Sequence, residues 1–193
     1  MATKILAGAA ALLAAFAFAG QAHAAGGTYV FDGGTPKQQR EVKKALNASS
    51  FDWSLVPGAV TIHIARVGTS YATPGHVFLD GDLLNAGRFA WGIVQHEYAH
   101  QVDFLLTDAA KREALKTALG TSAWCYEDAA VREHGVQGCE RFASTLAWSY
   151  WQTADNSMKP AGRNDEAGAI APAKFRALLG ALLAAAPDPA AAS

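Results

Sequence analysis

The segment from Asn85 to Leu106, NAGRFAWGIVQHEYAHQVDFLL, is the most informative part of the chain. Its pattern predicts one long helix with apolar residues almost all round it: Phe89, Trp91, Ile93, Val94, Tyr98, Val102, Phe104, Leu105 and Leu106. A helix that is apolar on every side is usually the buried centre of a domain. We therefore expect the rest of the chain to pack around this helix.

A short polar motif, His96-Glu97-Tyr98-Ala99-His100, interrupts the apolar pattern. Residues four apart on a helix are offset by about 40°, so the two imidazoles converge on one point. Neutral imidazoles are good ligands for Zn²⁺. Glu97 flanks them, where it can reach a water on the metal without filling a coordination position. The motif therefore predicts a zinc site with Glu97 as general base.

A catalytic zinc site of this kind needs a third protein ligand, and Glu140 is the strongest candidate. It begins a predicted helix whose near face carries only small residues, which favours close approach to the metal helix: Ala143, Ser144 and Ala147. Asp103 is one turn beyond His100 and is better placed to hydrogen-bond a ligand histidine. Glu127 and Glu133 lie in a charge-rich stretch and are expected at the surface.

The motif at His96–Asp103, followed by Glu140-Arg141-Phe142-Ala143, resembles the gluzincin class of zinc metallopeptidases. The resemblance implies that His96, His100 and Glu140 are the metal ligands. It also implies an edge strand just before the metal helix, in the position of His76–Asp80, against which an extended peptide binds. Many members have Asp four residues after the ligand Glu, where this chain has Ser144, and Asp103 is expected to substitute in part.

The resemblance also implies a fold and a mechanism. The expected fold is α+β and zincin-like, with a small mixed sheet packed on a buried metal-bearing helix and a mainly helical C-terminal part. The expected reaction is hydrolysis of peptide bonds by a zinc-activated water, with a peptide or protein as substrate. The oxyanion needs a further donor, for which His134 is the first candidate and Tyr126 and Tyr150 are alternatives.

Two other functions fit the same motif. One is a zinc amidase that acts on a non-peptide substrate, with Cys139 as a ligand in place of Glu140. The other is a non-catalytic secreted module that binds zinc, although a purely structural site has no need of the base Glu97.

The composition describes an ordinary globular chain. It has 193 residues, 51% hydrophobic and 17% charged, with a formal net charge of −1. The near-neutral balance argues against nucleic-acid binding, which needs an excess of Lys and Arg. A single domain over residues 25–186 is expected, followed by a disordered tail at 187–193.

The N-terminus has the features of a secretory signal peptide over residues 1–24. Lys4 precedes the apolar run Ile5–Ala19, which is too short for a membrane span, and Ala22-His23-Ala24 fits a cleavage site. We expect a cut after Ala24, a secreted protein, and no membrane attachment after cleavage. In an oxidising compartment, the two cysteines Cys125 and Cys139 are expected to form a disulfide.

Local patterns predict the remaining elements. The predicted strands are Thr28–Phe31, Val60–Val67 and His76–Asp80, with a loop at Ser70–Gly75. The predicted helices, besides the metal helix, are Pro36–Ala48, one capped by Asp108 and running to Leu119, Cys139–Ala154 and Ala171–Ala186.

Overall fold

A small mixed sheet forms one layer of the protein. The computed structural model describes residues 27–125 and 133–185. The strands are β1 (Tyr29–Gly33), β2 (Val60–Ala65), β3 (Tyr71–Thr73) and β4 (His76–Asp80), in the order β1-β2-β4-β3. β1, β2 and β4 are parallel, and β3 is antiparallel to β4. The predicted signal peptide 1–24 with its cut after Ala24, the tail 187–193, Tyr126 and Glu127 lie outside the described residues.

Five α-helices accompany the sheet within the described residues: α1 (Pro36–Ala48), α2 (Phe89–Leu106), α3 (Ala109–Leu119), α4 (Gly138–Tyr150) and α5 (Pro172–Ala184). The prediction of an α+β fold with a small mixed sheet is therefore confirmed. Among these helices, none is both long enough and apolar enough to cross a membrane.

The ends of the predicted helices follow local signals. Thr35 and Gln38 form a capping box before α1, and Pro36 occupies its first turn. Asp108 caps α3 through the backbone N–H of Lys111. α2 is shorter than the predicted helix Asn85–Leu106, because Gly87 adopts a positive φ of 66° and separates α2 from the 3₁₀ turn Leu83–Ala86.

The sheet differs from the prediction on the side of β3. The segment Ser70–Gly75 was predicted as a loop, but its residues Tyr71–Thr73 form β3, which pairs with β4 through a tight turn at Pro74 and Gly75. Three residues are too few to show the alternation that marks a strand in a sequence. The prediction that His76–Asp80 is an edge strand is therefore wrong, because β2 and β3 flank it.

The core lies on both sides of α2. One face of the sheet is buried through Ile62, Ile64, Val77 and Leu79. α2 packs on this layer, on α1 and on α4, so most of its surface is buried as predicted. α5 covers α4 through a ring contact between Phe175 and Phe142. The motif His96–His100 thus lies on a helix held from several directions, which fixes its side chains in space.

Candidate metal centre

Three side chains from α2 and α4 meet at one point inside the fold. His96 Nε2 and His100 Nε2 lie 3.3 Å apart. Glu140 Oε2 lies 3.1 Å from His96 Nε2 and 3.4 Å from His100 Nε2. Each histidine is 5% exposed, and the Glu140 side chain is 14% exposed. The structure therefore brings together the three predicted ligands in a group able to hold a metal ion.

The three donor atoms are spaced nearly as the ligands of a tetrahedral zinc ion are. Nitrogen and oxygen ligands lie about 2.0–2.2 Å from a tetrahedral Zn²⁺, which places neighbouring ligand atoms about 3.3–3.5 Å from one another. The observed separations of 3.1, 3.3 and 3.4 Å are close to that range. The donor set of two imidazoles and one carboxylate also matches the preferences of zinc.

Small residues and a disulfide place Glu140 at this point. Ala143 and Ala147 on α4 are fully buried, and such small side chains let α4 approach α2 closely. Cys139 is bonded to Cys125, with a Cα–Cα distance of 5.6 Å, which confirms the predicted disulfide. This bond ties the first turn of α4, where Glu140 lies, to the segment after α3.

Glu140 is surrounded by imidazoles, and this decides its ionisation. Burial acts to raise the pKa of Glu140, but hydrogen bonds from His100, His134 and His96 outweigh it and hold the pKa well below its usual value. For His100, burial acts to lower the pKa, and the nearby carboxylate of Glu140 outweighs it, so the pKa is raised. The site therefore presents Glu140 as an anion at neutral pH.

Glu97 lies beside the ligands and opens onto a cavity. Glu97 is 6% exposed. Burial raises the pKa of Glu97 above its usual value, although the nearby charges of His96 and His100 act to lower it. The cavity, of about 400 Å³, is lined by His96, Glu97 and His134 together with Gly68–Ser70 of the loop before β3. A raised carboxyl pKa in a partly closed cavity suits a group that accepts a proton near neutral pH.

His134 lies between two carboxylates at the rim of the site. Its Nε2 is 3.0 Å from Glu140 Oε2, and its Nδ1 is 2.9 Å from Glu166 Oε1. A carboxylate can only accept hydrogen bonds, so both ring nitrogens donate and the ring is cationic. Accordingly, these two partners raise the pKa of His134 to about 10. The structure thus brings His134 to the cluster that it was predicted to join.

The alternative oxyanion donor Tyr150 lies elsewhere. It ends α4, ten residues after Glu140, which corresponds to about 15 Å along a helix. Its ring packs edge-on against Phe51 instead. Glu133 is exposed, as predicted for a surface residue.

Asp103 does not support a ligand histidine, contrary to the prediction. Its carboxylate accepts hydrogen bonds from the side chains of Arg112, Thr107 and Trp124, at 3.0, 2.7 and 2.9 Å. Arg112 lies on α3, Thr107 just before it and Trp124 after it. The carboxylate of Asp103 is therefore bound by α3 and its flanking segments. Among residues 27–125 and 133–185, no group hydrogen-bonds His100 Nδ1.

Sequence reasoning missed Glu166, which lies in the loop between α4 and α5. Its Oε2 is 2.6 Å from Ser144 Oγ, and Ser144 Oγ is 3.0 Å from His96 Nδ1. The loop can reach α2 because Gly92 has no side chain, since a Cβ there would collide with Asn156 and Ser157. No periodicity marks this stretch of sequence. The glycine at position 92 is the one local signal that could have indicated a close approach of another segment to α2.

No protein-family model, curated protein or solved structure matches this chain.

Proposed function

We propose that this protein is a secreted zinc-dependent peptidase of the gluzincin type with a zincin-like fold. The observation that carries the proposal is the mutual spacing of His96 Nε2, His100 Nε2 and Glu140 Oε2, at 3.1–3.4 Å, beside a buried carboxylate that lines a cavity. The motif H-E-x-x-H supports the same reading from the sequence.

Zn²⁺ held by His96, His100 and Glu140 would polarise a carbonyl and lower the pKa of water towards 7. Glu97 then acts as the general base that takes a proton from the attacking water. The carboxyl protonated in this step would then pass the proton to the leaving amine. One carboxyl group thereby serves both proton transfers of the hydrolysis.

His134 is the candidate donor to the oxyanion that forms on the peptide carbonyl. It is cationic and lines the same cavity as Glu97. Its Nε2–H, which donates to Glu140 in the structure, would become available to the oxyanion when Glu140 binds the metal. A cationic donor stabilises developing negative charge more strongly than a neutral one. We assign this role to His134 in preference to Tyr150, which packs against Phe51.

The edge strand β3 supports a peptide as the substrate. The cavity wall at Gly68–Ser70 leads directly into β3, whose outer edge pairs with no other strand in the part of the chain that the structure describes. An extended peptide can add to such an edge through backbone hydrogen bonds. We propose that the substrate leaves the cavity along β3 rather than along β4, which is already paired on both sides.

The two alternative functions have less support. The amidase reading used Cys139 as a metal ligand, but its sulfur is bonded to Cys125 and is not a thiolate. A non-catalytic zinc module has no use for a buried Glu97 that lines a cavity of about 400 Å³. Both alternatives remain distinguishable from a peptidase by the digest described next.

The test is a digest of a broad peptide library by the purified protein, with zinc, with a chelator, and with zinc restored after chelation. A peptidase should cleave internal bonds in the first and third samples and none in the second. Zinc content measured on the same preparation separates the other outcomes: bound zinc without peptide cleavage would favour the amidase or the non-catalytic module, and absence of zinc uptake would overturn the proposal. Mass spectrometry of the exported protein should give Ala25 as its first residue.

A further inference from the structure

We propose that Ser144 and Glu166 form a positioning pair that orients the ligand His96. This inference rests on the proposed zinc site and adds to it two residues from outside the recognised motif. In the gluzincin pattern, an Asp commonly stands where this chain has Ser144. Here a carboxylate from a different part of the chain acts through the serine hydroxyl.

The direction of the two hydrogen bonds follows from counting protons. Ser144 has one hydroxyl proton, and Glu166 Oε2, at 2.6 Å, is a carboxylate oxygen that can only accept it. Met158 Sδ, at 3.3 Å from Ser144 Oγ, is a weak acceptor that the single proton cannot also serve. Ser144 Oγ must therefore accept from His96 Nδ1, at 3.0 Å. Nδ1 of His96 therefore donates to Ser144. Where a metal replaced the proton that Nε2 shares with Glu140, the Nε2 lone pair would face His100 and Glu140.

The environment of the pair supports a specific role. Ser144 is 1% exposed, so its hydroxyl is sheltered from competing water. The Glu166 side chain is 29% exposed, and its second oxygen holds His134 Nδ1 at 2.9 Å. One carboxylate is therefore linked both to a metal ligand and to the proposed oxyanion donor.

The two ligand histidines are not equivalent in this respect. His100 Nδ1 is buried and has no hydrogen-bond partner among the described residues, whereas His96 Nδ1 is held by Ser144. Partners of this kind fix the ring orientation of a ligand histidine and raise its basicity, and their loss typically weakens metal binding by about 10- to 100-fold. The orientation of the metal ligands should therefore depend on the hydrogen bond between Ser144 and His96.

The test measures the dissociation constant of Zn²⁺ by competition with a chelator, together with the visible absorption spectrum of the Co²⁺-loaded protein. Ser144→Ala and Glu166→Gln should each weaken zinc binding by about 10- to 100-fold. The double variant should bind no more weakly than the worse single variant, because both changes break the same chain of hydrogen bonds. The Co²⁺ spectrum should change in the same variants.

A rescue variant and a matched control make the test specific. Ser144→Asp combined with Glu166→Gln places a carboxylate directly on His96 and should restore zinc affinity to near the wild-type value. Ser149→Ala removes an equally buried serine hydroxyl further along α4 and should leave affinity unchanged. Circular dichroism of the metal-free variants checks that each one folds.

The outcomes separate this inference from the proposed function. Any of four results would overturn the positioning pair. Two concern the Ser144 and Glu166 variants: wild-type zinc affinity in both single variants, or losses that multiply in the double variant. The other two are failure of the rescue variant and an equal loss of affinity in Ser149→Ala. In those cases the wild-type protein would still bind zinc through His96, His100 and Glu140. A wild-type protein that takes up no zinc would overturn both proposals.

Discussion

The side chain of Gln101 accepts a hydrogen bond from the backbone N–H of Gly75 at 2.8 Å. Its amide nitrogen also donates to the backbone carbonyls of Thr73 and His76, at 2.9 and 3.1 Å. Gln101 directly follows the proposed ligand His100 and is fully buried. One side chain of α2 therefore satisfies three backbone groups of the turn between β3 and β4.

Replacement of Gln101 by Ala should lower the free energy of unfolding by about 1–3 kcal/mol, because it removes three hydrogen bonds to partly buried backbone groups. Urea denaturation of the metal-free protein measures this loss. Gln39→Ala is the control, since the Gln39 side chain makes one exposed hydrogen bond to Gly33 and should cost less than about 0.5 kcal/mol. Equal stability of the two variants would contradict the bracing role of Gln101.

Replacement of Glu97 by Gln should abolish peptide hydrolysis while zinc stays bound. The amide cannot accept a proton from water, and general-base catalysis typically contributes about 10²- to 10⁴-fold to the rate. Library digestion gives the rate, and elemental analysis gives the zinc content of the same sample. Glu113→Gln on the exposed face of α3 should behave as wild type. Unchanged hydrolysis in Glu97→Gln would remove the assigned base.

The stability of the metal-free protein should depend on pH through the cluster at His134. Its pKa of about 10 exceeds the ordinary 6.5, so its stabilising effect is complete below pH 6.5 and disappears as the pH rises through 10. Hydrogen bonds from His134 and Ser144 lower the pKa of Glu166, although burial opposes this, so its stabilising effect is present above the usual 4.5 and is lost on acidification.

The melting temperature in excess chelator should therefore be highest between about pH 4.5 and 6.5 and should decline toward pH 10. His134→Asn should flatten the alkaline decline. The His134 side chain is 66% exposed, so solvent screening keeps the effect modest. If the melting temperature of wild type and variant fell equally between pH 6.5 and pH 10, His134 would not be held by the two carboxylates.

Removal of the disulfide should destabilise the protein and loosen Glu140. Cys125 and Cys139 are 14 positions apart, and a cross-link over such a loop is worth about 3 kcal/mol in the chain-entropy model. The variant with both cysteines changed to Ser should lose about this amount in urea denaturation without metal. It should also bind Zn²⁺ more weakly, because Glu140 follows Cys139 directly. Unaltered stability would show that the denatured chain is not constrained by this bond.

Much of the architecture could be predicted from local patterns. The apolar segment that became α2, the cap and stop of α3, and the strand β4 each depend on residues close together in the sequence. The convergence of His96 and His100 depends only on helical periodicity. The small face of α4 and the position of Glu140 at its first turn made the third ligand a sound hypothesis before the helices were seen together.

The failures concern contacts that no periodic pattern in the sequence indicates. The three-residue strand β3 is defined by its pairing with β4, so its own residues carry too little pattern to reveal it. Asp103 lies on the same helix as His96 and His100, but its carboxylate accepts hydrogen bonds from Arg112, Thr107 and Trp124. The positions of these donors depend on how α3 packs. A helical wheel cannot show which donors from other elements will compete for a side chain.

By itself, then, the sequence determined that a buried helix presents two imidazoles and a carboxylate together, because a helix imposes that geometry on residues at fixed spacing. The tertiary structure alone decided which partners complete the group. Glu166 comes from a loop with no regular pattern, the same loop that packs against Gly92 of α2 through Asn156 and Ser157, and its carboxylate meets Ser144 on α4. Such pairings depend on the packing of whole elements, and no local rule of spacing encodes them.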